Sequence, residues 1–337
     1  MDADSPTVVL SVLDTAPIWA GSPPARSLRD TMDLARRVEE FGYRRYWVAE
    51  HHNTPGVASC SPPVLVAELA NVTTRLRVGS GGVMLPNHPP LVVAEQFGTL
   101  EVLHPGRIDL GLGRAPGTDP RTAEALRRAT AADDFPNQVR ELIGYFDEDA
   151  AAAINAPPAA GNRPAVWLLG SSGSSARLAG QLGLPFVFAH HLKPDATLPA
   201  LEIYRRSFQP SALLPRPYAI VSALVIAADS DQHARWLATP LGPMALRMAG
   251  RLPDGPHLPP ELAVGLGRTP ADQELIRQRL ATRIIGGPDT VRRQIRELVA
   301  GTAADELMVT TLIHDQADRV RSYELLAQTV AAVPTPA

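Results

Sequence analysis

Short apolar runs of strand length alternate along this chain with stretches whose apolar residues recur every three or four positions. Thr7–Leu13 opens as a strand. Ser27–Phe41 follows as a helix, with Leu28, Met32, Leu34, Ala35 and Val38 on one face and a stop at Gly42. Arg45–Ala49, Leu76–Val78, Arg107–Gly113, Val166–Leu169, Phe186–Ala189, Tyr218–Ala227 and Glu306–Leu312 read as further strands. Pro62–Val72, Leu91–Leu103, Arg121–Arg128, Phe135–Phe146, Asp195–Phe208, Asp229–Gly250, Ala271–Ile284, Asp289–Gly301 and Gln316–Val330 read as helices, and one more opens in the polar turn after Leu169. Eight strands alternating with helices predict an α/β fold, a (β/α)8 barrel, as one domain over residues 1–337. Insertions are expected near 150–164 and 251–285, and the Pro- and Gly-rich Arg251–Thr269 is the candidate for a mobile lid. A doubly wound sheet would carry a glycine fingerprint after its first strand, and Asp14–Ala25 carries none.

One stretch, Leu76 to Pro120, concentrates the unusual chemistry. Gly79, Gly81 and Gly82 follow the strand at Leu76–Val78 and read as a glycine-broken turn. In a barrel a glycine pair there implies close packing against something flat. In Arg107–Gly113, Ile108, Leu110 and Leu112 share one face, and Asp109, Gly111 and Gly113 the other. Arg114 waits where that strand ends.

Composition narrows the classes. The chain has 337 residues, 45% hydrophobic, with a formal net charge of −3. A balance so near neutral makes no electrostatic case for nucleic acid or an anionic membrane. No apolar run is long enough to span a bilayer, and MDADSPTVVL lacks the basic start and apolar core of a signal peptide. Cys60 is the only cysteine, so neither an intrachain disulfide nor a cysteine-rich metal site can form. A cytoplasmic protein is the expectation.

The polar residues fall where barrel enzymes keep their sites, in the loops after the strands. Glu50, His51, His52 and Asn53 follow the second strand, and Asn87 and His88 the third. Gly113 and Arg114 close the fourth. Ser171, Ser172 and Ser175 follow the fifth, and His190 and His191 the sixth. Neighbouring strand residues point to opposite faces, so only one of His51 and His52 enters the mouth easily. For the same reason the pair is a poor metal site, and no metal is expected. A histidine in such a pocket is a natural acid–base group. Arg114, the three serines and the free N–H groups of a helix start make an anion pocket suited to a phosphate. N-capping by those serines is the plainer alternative, and both can hold.

Five stretches resemble the bacterial-luciferase-like flavin monooxygenases: YWVAEHHN (Tyr46–Asn53), GSGGVMLPNHPPLVVAEQFGTLE (Gly79–Glu101), PGRIDLGLGRAPGTD (Pro105–Asp119), LLGSSGSSARLAGQLGLP (Leu168–Pro185) and IIGGPDTVRRQIREL (Ile284–Leu298). The resemblance implies a barrel that binds reduced FMN, or in some branches the deazaflavin F420, at the strand carboxyl ends. It matches His51 to the catalytic histidine and Gly81-Gly82 to a cis peptide behind the flavin ring. It matches Arg114 to the phosphate-binding arginine, and Ser171, Ser172 and Ser175 to the helix start completing that site. Gly113 stands where true luciferases carry a cysteine, and Ser171 replaces a glutamate. The implied reaction uses O2 and a C4a-hydroperoxyflavin to oxygenate a small organic substrate such as an aldehyde or ketone. Reduced flavin would come from a separate NAD(P)H-dependent reductase, and the protein would be a homodimer. The competing functions are an F420-dependent dehydrogenase and a non-catalytic flavin-binding protein, both on the same fold.

Overall fold

The computed structural model describes residues 8–126, 134–148, 154–267 and 269–330. Its strands are β1 (Val9–Asp14), β2 (Arg45–Val48), β3 (Arg77–Met84), β4 (Ile108–Gly113), β5 (Ala165–Gly170), β6 (Phe186–Phe188), β7 (Ala219–Ala227), β8 (Ile284–Gly286) and β9 (Glu306–Thr310). All except β8 form a closed ring of parallel pairs, β1-β2-β3-β4-β5-β6-β7-β9 and back to β1. This is the eight-stranded parallel barrel that the alternation predicts. Strand β8 pairs with the last residues of β7 alone, at Val225–Ala227.

Helices cover the outside: α1 (Pro24–Glu40), α2 (Pro62–Val72), α3 (Pro90–Leu103), α4 (Pro120–Ala125), α5 (Phe135–Gly144), α6 (Gly173–Gln181), α7 (Thr197–Ser207), α8 (Asp231–Leu237), α9 (Leu241–Met248), α10 (Pro260–Ala263), α11 (Pro270–Leu280), α12 (Pro288–Thr302) and α13 (Gln316–Val330). Proline stands at one of the first two positions of α1, α2, α3, α5 and α12, where its missing N–H leaves no extra unpaired group. The outer core joins helix faces such as Leu34 and Val38 of α1 to outward strand residues such as Tyr46 and Leu110. No helix among the described residues is long and apolar enough to cross a membrane.

A second cluster lies inside the ring. Leu13, Trp47, Trp167, Val187, Ile220 and Met308 come from β1, β2, β5, β6, β7 and β9, and side chains from opposite walls can meet only in the interior. Below them, toward the amino ends of the strands, the interior is charged. Arg45 donates to Glu306 at 2.9 Å and to Asp109 at 2.9 Å. Arg77 reaches the other oxygen of Asp109 at 2.7 Å, and Tyr218 donates to Glu306 at 2.8 Å. Arg45 also lies 4.4 Å from the Trp167 ring centre, a cation over an aromatic face. The barrel is therefore plugged at this end.

The structure corrects two local readings. The strand expected at Leu76–Val78 runs on through the glycines to Met84. A Cβ at Gly82 would sit 2.7 Å from Gly111 O, so the residue permits a close β3–β4 approach instead of a turn. The helix expected to end at Ile284 ends at Leu280, and Ile284 opens β8. The candidate lid meets the first loop at His257, whose N donates to Ile18 O at 2.8 Å and whose carbonyl accepts from Ala20 N at 2.7 Å. Of the helix expected at Arg121–Arg128 and the insertion at 150–164, residues 127–128 and 150–153 lie outside the described residues.

Candidate functional site

The carboxyl ends of the strands form the mouth, and one buried carboxylate organises its β2–β3 side. Glu50, fully buried just past β2, accepts from His52 Nε2 and His88 Nε2 at 2.9 Å each on Oε1, and from Asn87 Nδ2 at 3.2 Å. Its Oε2 accepts from Met84 N at 3.0 Å. Burial alone would push this carboxyl up. The donors from His88, His52 and Met84 outweigh that and hold it below its ordinary value, so Glu50 is charged. With both imidazoles donating to one oxygen, the loops after β2 and β3 are locked together.

That lock separates the paired histidines. His52 is held by Glu50. His51 is half-buried and anchored by its backbone N–H to Ser59 O at 3.0 Å. Burial lowers its pKa, against opposing pulls from Gly117 and Glu50, so the ring is neutral near pH 7. A neutral imidazole can take a proton as well as pass one on.

The peptide bond between Gly81 and Gly82 is cis, at the position the resemblance assigns. What crowds these glycines is the protein itself. A Cβ at Gly81 would meet Leu13 Cδ1 at 2.5 Å and Trp47 at 3.2 Å. At Gly113 a Cβ would come within 2.9 Å of Met84 Sδ, so a larger residue there requires Met84 to move.

Arg114 and the serines are brought to neighbouring strand ends by register. Leu112 pairs with Leu168, so two residues further on Arg114 lies level with Gly170, directly before Ser171. Ser172 is the N-cap of α6 and makes no side-chain cap bond; its hydroxyl meets Ser174 Oγ at 2.9 Å instead. Ser175 packs where a Cβ of Gly170 would stand, 2.4 Å from its own Cβ, which draws the helix start against the end of β5.

The β6–β7 side holds residues that pattern alone does not single out. Ser222 Oγ, buried on β7, lies 3.2 Å from Phe188 O and 2.8 Å from His191 Nδ1. The one hydroxyl proton serves either Phe188 O or His191 Nδ1, and the imidazole tautomer follows that choice. Burial and the nearby Arg283 hold His191 down to about 4, and the same two causes lower His190. Asn87 presents Oδ1, buried with no partner among the described residues. On the first loop, Trp19 lies between His257 and His314, with ring centres 5.5 Å and 5.1 Å away. Ser222 hides in an apolar strand, and Arg283 in what reads as a helix end. Glu50 and Asn87 are visible as loop polarity, but their convergence is not.

A reduced flavin mononucleotide needs a cradle for a dianion, polar partners for its ring edge, and a wall. The residues present fit such a group. The first-turn N–H groups of α6 with Arg114 alongside suit the phosphate, and the orphaned Asn87 Oδ1 suits an N–H donor. Among the described residues no group of three or more His, Cys, Asp or Glu is placed to hold a metal ion.

Comparison with known proteins agrees with this architecture. Residues 9–306 match the family model described as luciferase-like monooxygenase. A luciferase-like monooxygenase of Escherichia coli (strain K12) is 47% identical over 326 residues, covering 95% of this chain and 96% of its own. The N-acetyl-S-alkylcysteine monooxygenase of Bacillus subtilis (strain 168) is 32% identical over 335 residues, covering 96% and 98%. The crystal structure of apo-MsnO8 superposes with a TM-score of 0.89 at 39% identity, over 97% of this chain and 99% of that one. The oxygenating constituent of 3,6-diketocamphane monooxygenase from Pseudomonas putida, solved with FMN, gives 0.73 at 19% identity over 98% and 100%, a likeness of fold. An F420-dependent tetrahydromethanopterin reductase from Methanopyrus kandleri shares the fold too, at 0.66 and 15% identity over 97% and 99%. A match across nearly the whole chain, on a closed eight-stranded parallel barrel, carries a plain conclusion: this chain belongs to the luciferase-like monooxygenase family.

Proposed function

We propose that this protein is a flavin-dependent monooxygenase that takes reduced FMN from a separate NAD(P)H-dependent reductase and oxygenates a small organic molecule with O2. The observation carrying the reading is the register that sets Arg114 level with Gly170, beside the N-cap Ser172 of α6. An arginine at one strand end and the first-turn N–H groups of a helix after the neighbouring strand suit a phosphate monoester. Bound there, reduced FMN supplies the activation of O2, which no side chain can provide.

The chain's own residues do the rest. Arg114, Ser171, Ser172 and Ser175 hold the phosphate. Gly81, Gly82 and Gly113 keep the wall behind the ring thin. Glu50 fixes His52 and His88, and with them the loop that carries His51. His51, neutral at working pH, moves the proton at the reacting centre. The first loop and the 251–267 segment, joined through His257, shield the mouth from water. The protein acts as a homodimer. Aldehydes, ketones and N-acetyl-S-alkylcysteines are the first substrates to try.

The test is an anaerobic titration with reduced FMN and with F420, followed by oxygen uptake with a flavin reductase. Tight FMN binding and substrate-dependent uptake are expected. His51→Ala should lower turnover by about 10²- to 10⁴-fold while FMN still binds. Turnover with F420 in the absence of O2, or an unaffected His51→Ala, would overturn the assignment.

A further inference from the structure

The buried arginines of this protein divide by what faces them. Arg45 lies between Asp109 and Glu306, and Arg319 donates to Asp14 at 2.6 Å. Arg77, partly buried, reaches Asp109 at 2.7 Å. Each therefore has a carboxylate, as a cation removed from water requires. Arg283 does not. It is half-buried between α11 and β8, and Nη1 donates to the carbonyl oxygen of His191. No Asp or Glu oxygen among the described residues forms a salt bridge with it. The charges around it make matters worse for the guanidinium: burial and the neighbouring Arg279 both disfavour its charged form. Asp195 acts on His190 and not on Arg283. The other groups in reach are the neutral His190 and His191.

Position gives this a use. His191 follows β6, and its N–H donates to Ser222 O on β7 at 3.0 Å, so the carbonyl that Arg283 grips is part of the mouth. Strand β8 begins at the next residue and pairs Ile284 with Val225. The segment between β7 and β9 therefore carries a positive charge to the rim on the side away from Glu50, two strands beyond Arg114. One N–H of the guanidinium is taken by the carbonyl; its planar fork retains others for a second acceptor.

We propose that Arg283 is a specificity-determining residue that receives an anionic group, a carboxylate, on the organic substrate. The idea rests on the monooxygenase reading only for what happens to the substrate next; the binding itself needs no turnover. A carboxylate supplies the missing partner, and the oxygenated part of the molecule then lies toward His51. A neutral isostere leaves the guanidinium as it is, half-buried and unpaired, so the acid is preferred to its ester.

Calorimetric titration tests this on the full-length protein loaded with oxidised FMN. The probes are N-acetyl-S-benzylcysteine and its methyl ester, the same molecule with and without the charge. The acid should bind about 10- to 100-fold more tightly than the ester, the range of a charge-assisted hydrogen bond. Arg283→Gln, which keeps a donor for His191 O and drops the charge, should abolish the preference. Arg283→Lys should retain part of it, which a purely structural tie would not produce. Circular dichroism and thermal melting check that both variants fold. Equal binding of acid and ester, binding of neither, or an unchanged preference in Arg283→Gln overturns the proposal. So does a variant that loses affinity for FMN but not for riboflavin, because Arg283 would then serve the flavin phosphate. Failure of the flavin reading shows separately, as no FMN uptake by the wild type, and the acid–ester comparison can still be read on the protein alone.

Discussion

The two ends of the barrel use the same kinds of side chain to opposite purpose. At the closed end every charge inside the ring meets its complement: Arg45 lies between Asp109 and Glu306, with Arg77 and Tyr218 completing the two carboxylates. Such a network specifies how eight strands come together and leaves no group over for a ligand. At the mouth the balance is deliberately incomplete. Glu50 takes four donors, yet His51 and His191 stay neutral, Asn87 keeps an orphaned oxygen, and Arg283 lacks an acid. In a barrel, capacity left unsatisfied at the carboxyl ends of the strands is what a ligand can complete.

The strongest way to break this contrast is Arg45→Met. It leaves buried Glu306 with hydroxyl donors alone and Asp109 with Arg77 as its remaining cation, at a point where Arg45 and both acids are at most 4% exposed. Removing one member of a buried pair typically costs about 3–5 kcal/mol. Urea unfolding should show the midpoint falling with little change in slope, and residual activity per folded molecule should be preserved. A loss below about 1 kcal/mol would mean that the network is not what holds this end closed.

The acid limb of stability sharpens the other side. His191 and His257, both at the mouth, are held at about 4 chiefly by burial, against an ordinary 6.5. Below pH 6.5 the unfolded chain takes up protons that the folded one refuses until about pH 4. Their contribution is therefore present above 6.5 and is lost as pH falls toward 4, on the order of 3 kcal/mol each at most. His191→Gln and His257→Gln should each flatten the fall in denaturation midpoint over that window. Arg45 at the closed end stays charged throughout and adds no slope there. An unchanged slope in both variants would show that these rings titrate normally and that the mouth is wetter than its packing implies.

Legibility from sequence follows the same division. The alternation of apolar runs suffices for the barrel because each strand buries both faces, and such runs stand out from amphipathic helices. Strand β8 escapes because it has three residues and pairs only with the tail of β7. Strand β3 is truncated in the sequence reading because glycine signals a turn as readily as a close approach, and only Gly111 O, 2.7 Å from where a Cβ of Gly82 would stand, decides between them. Pairing arguments separate His51 from His52, since adjacent residues face opposite ways. Arg283 is beyond such reasoning: an arginine after a helical stretch looks solvated until a fold brings His191 to it.

The smallest effect compares two alanines with left-handed backbone, one at each end. Ala303, exposed at φ 47°, caps α12 and leads into β9 at the closed end. Ala16, fully buried at φ 48°, follows β1 at the mouth, where its N–H donates to Asp14 at 2.9 Å. A left-handed conformation costs an L-residue roughly 1–2 kcal/mol, which glycine avoids. Glycine also frees the unfolded chain, which opposes the gain by about 0.4–1 kcal/mol. For Ala303→Gly the difference remains favourable, about 0.5–1 kcal/mol, and calorimetry should record a rise in Tm of about 1–3 °C. Ala16→Gly gains the same relief but removes a buried methyl, worth about 0.8 kcal/mol before any cavity cost, so its Tm should stay level or fall. The two variants share one substitution and one backbone region and differ only in burial. Equal rises would mean that the mouth tolerates lost packing as easily as the surface does, and its supposed rigidity around Asp14 would have to be abandoned.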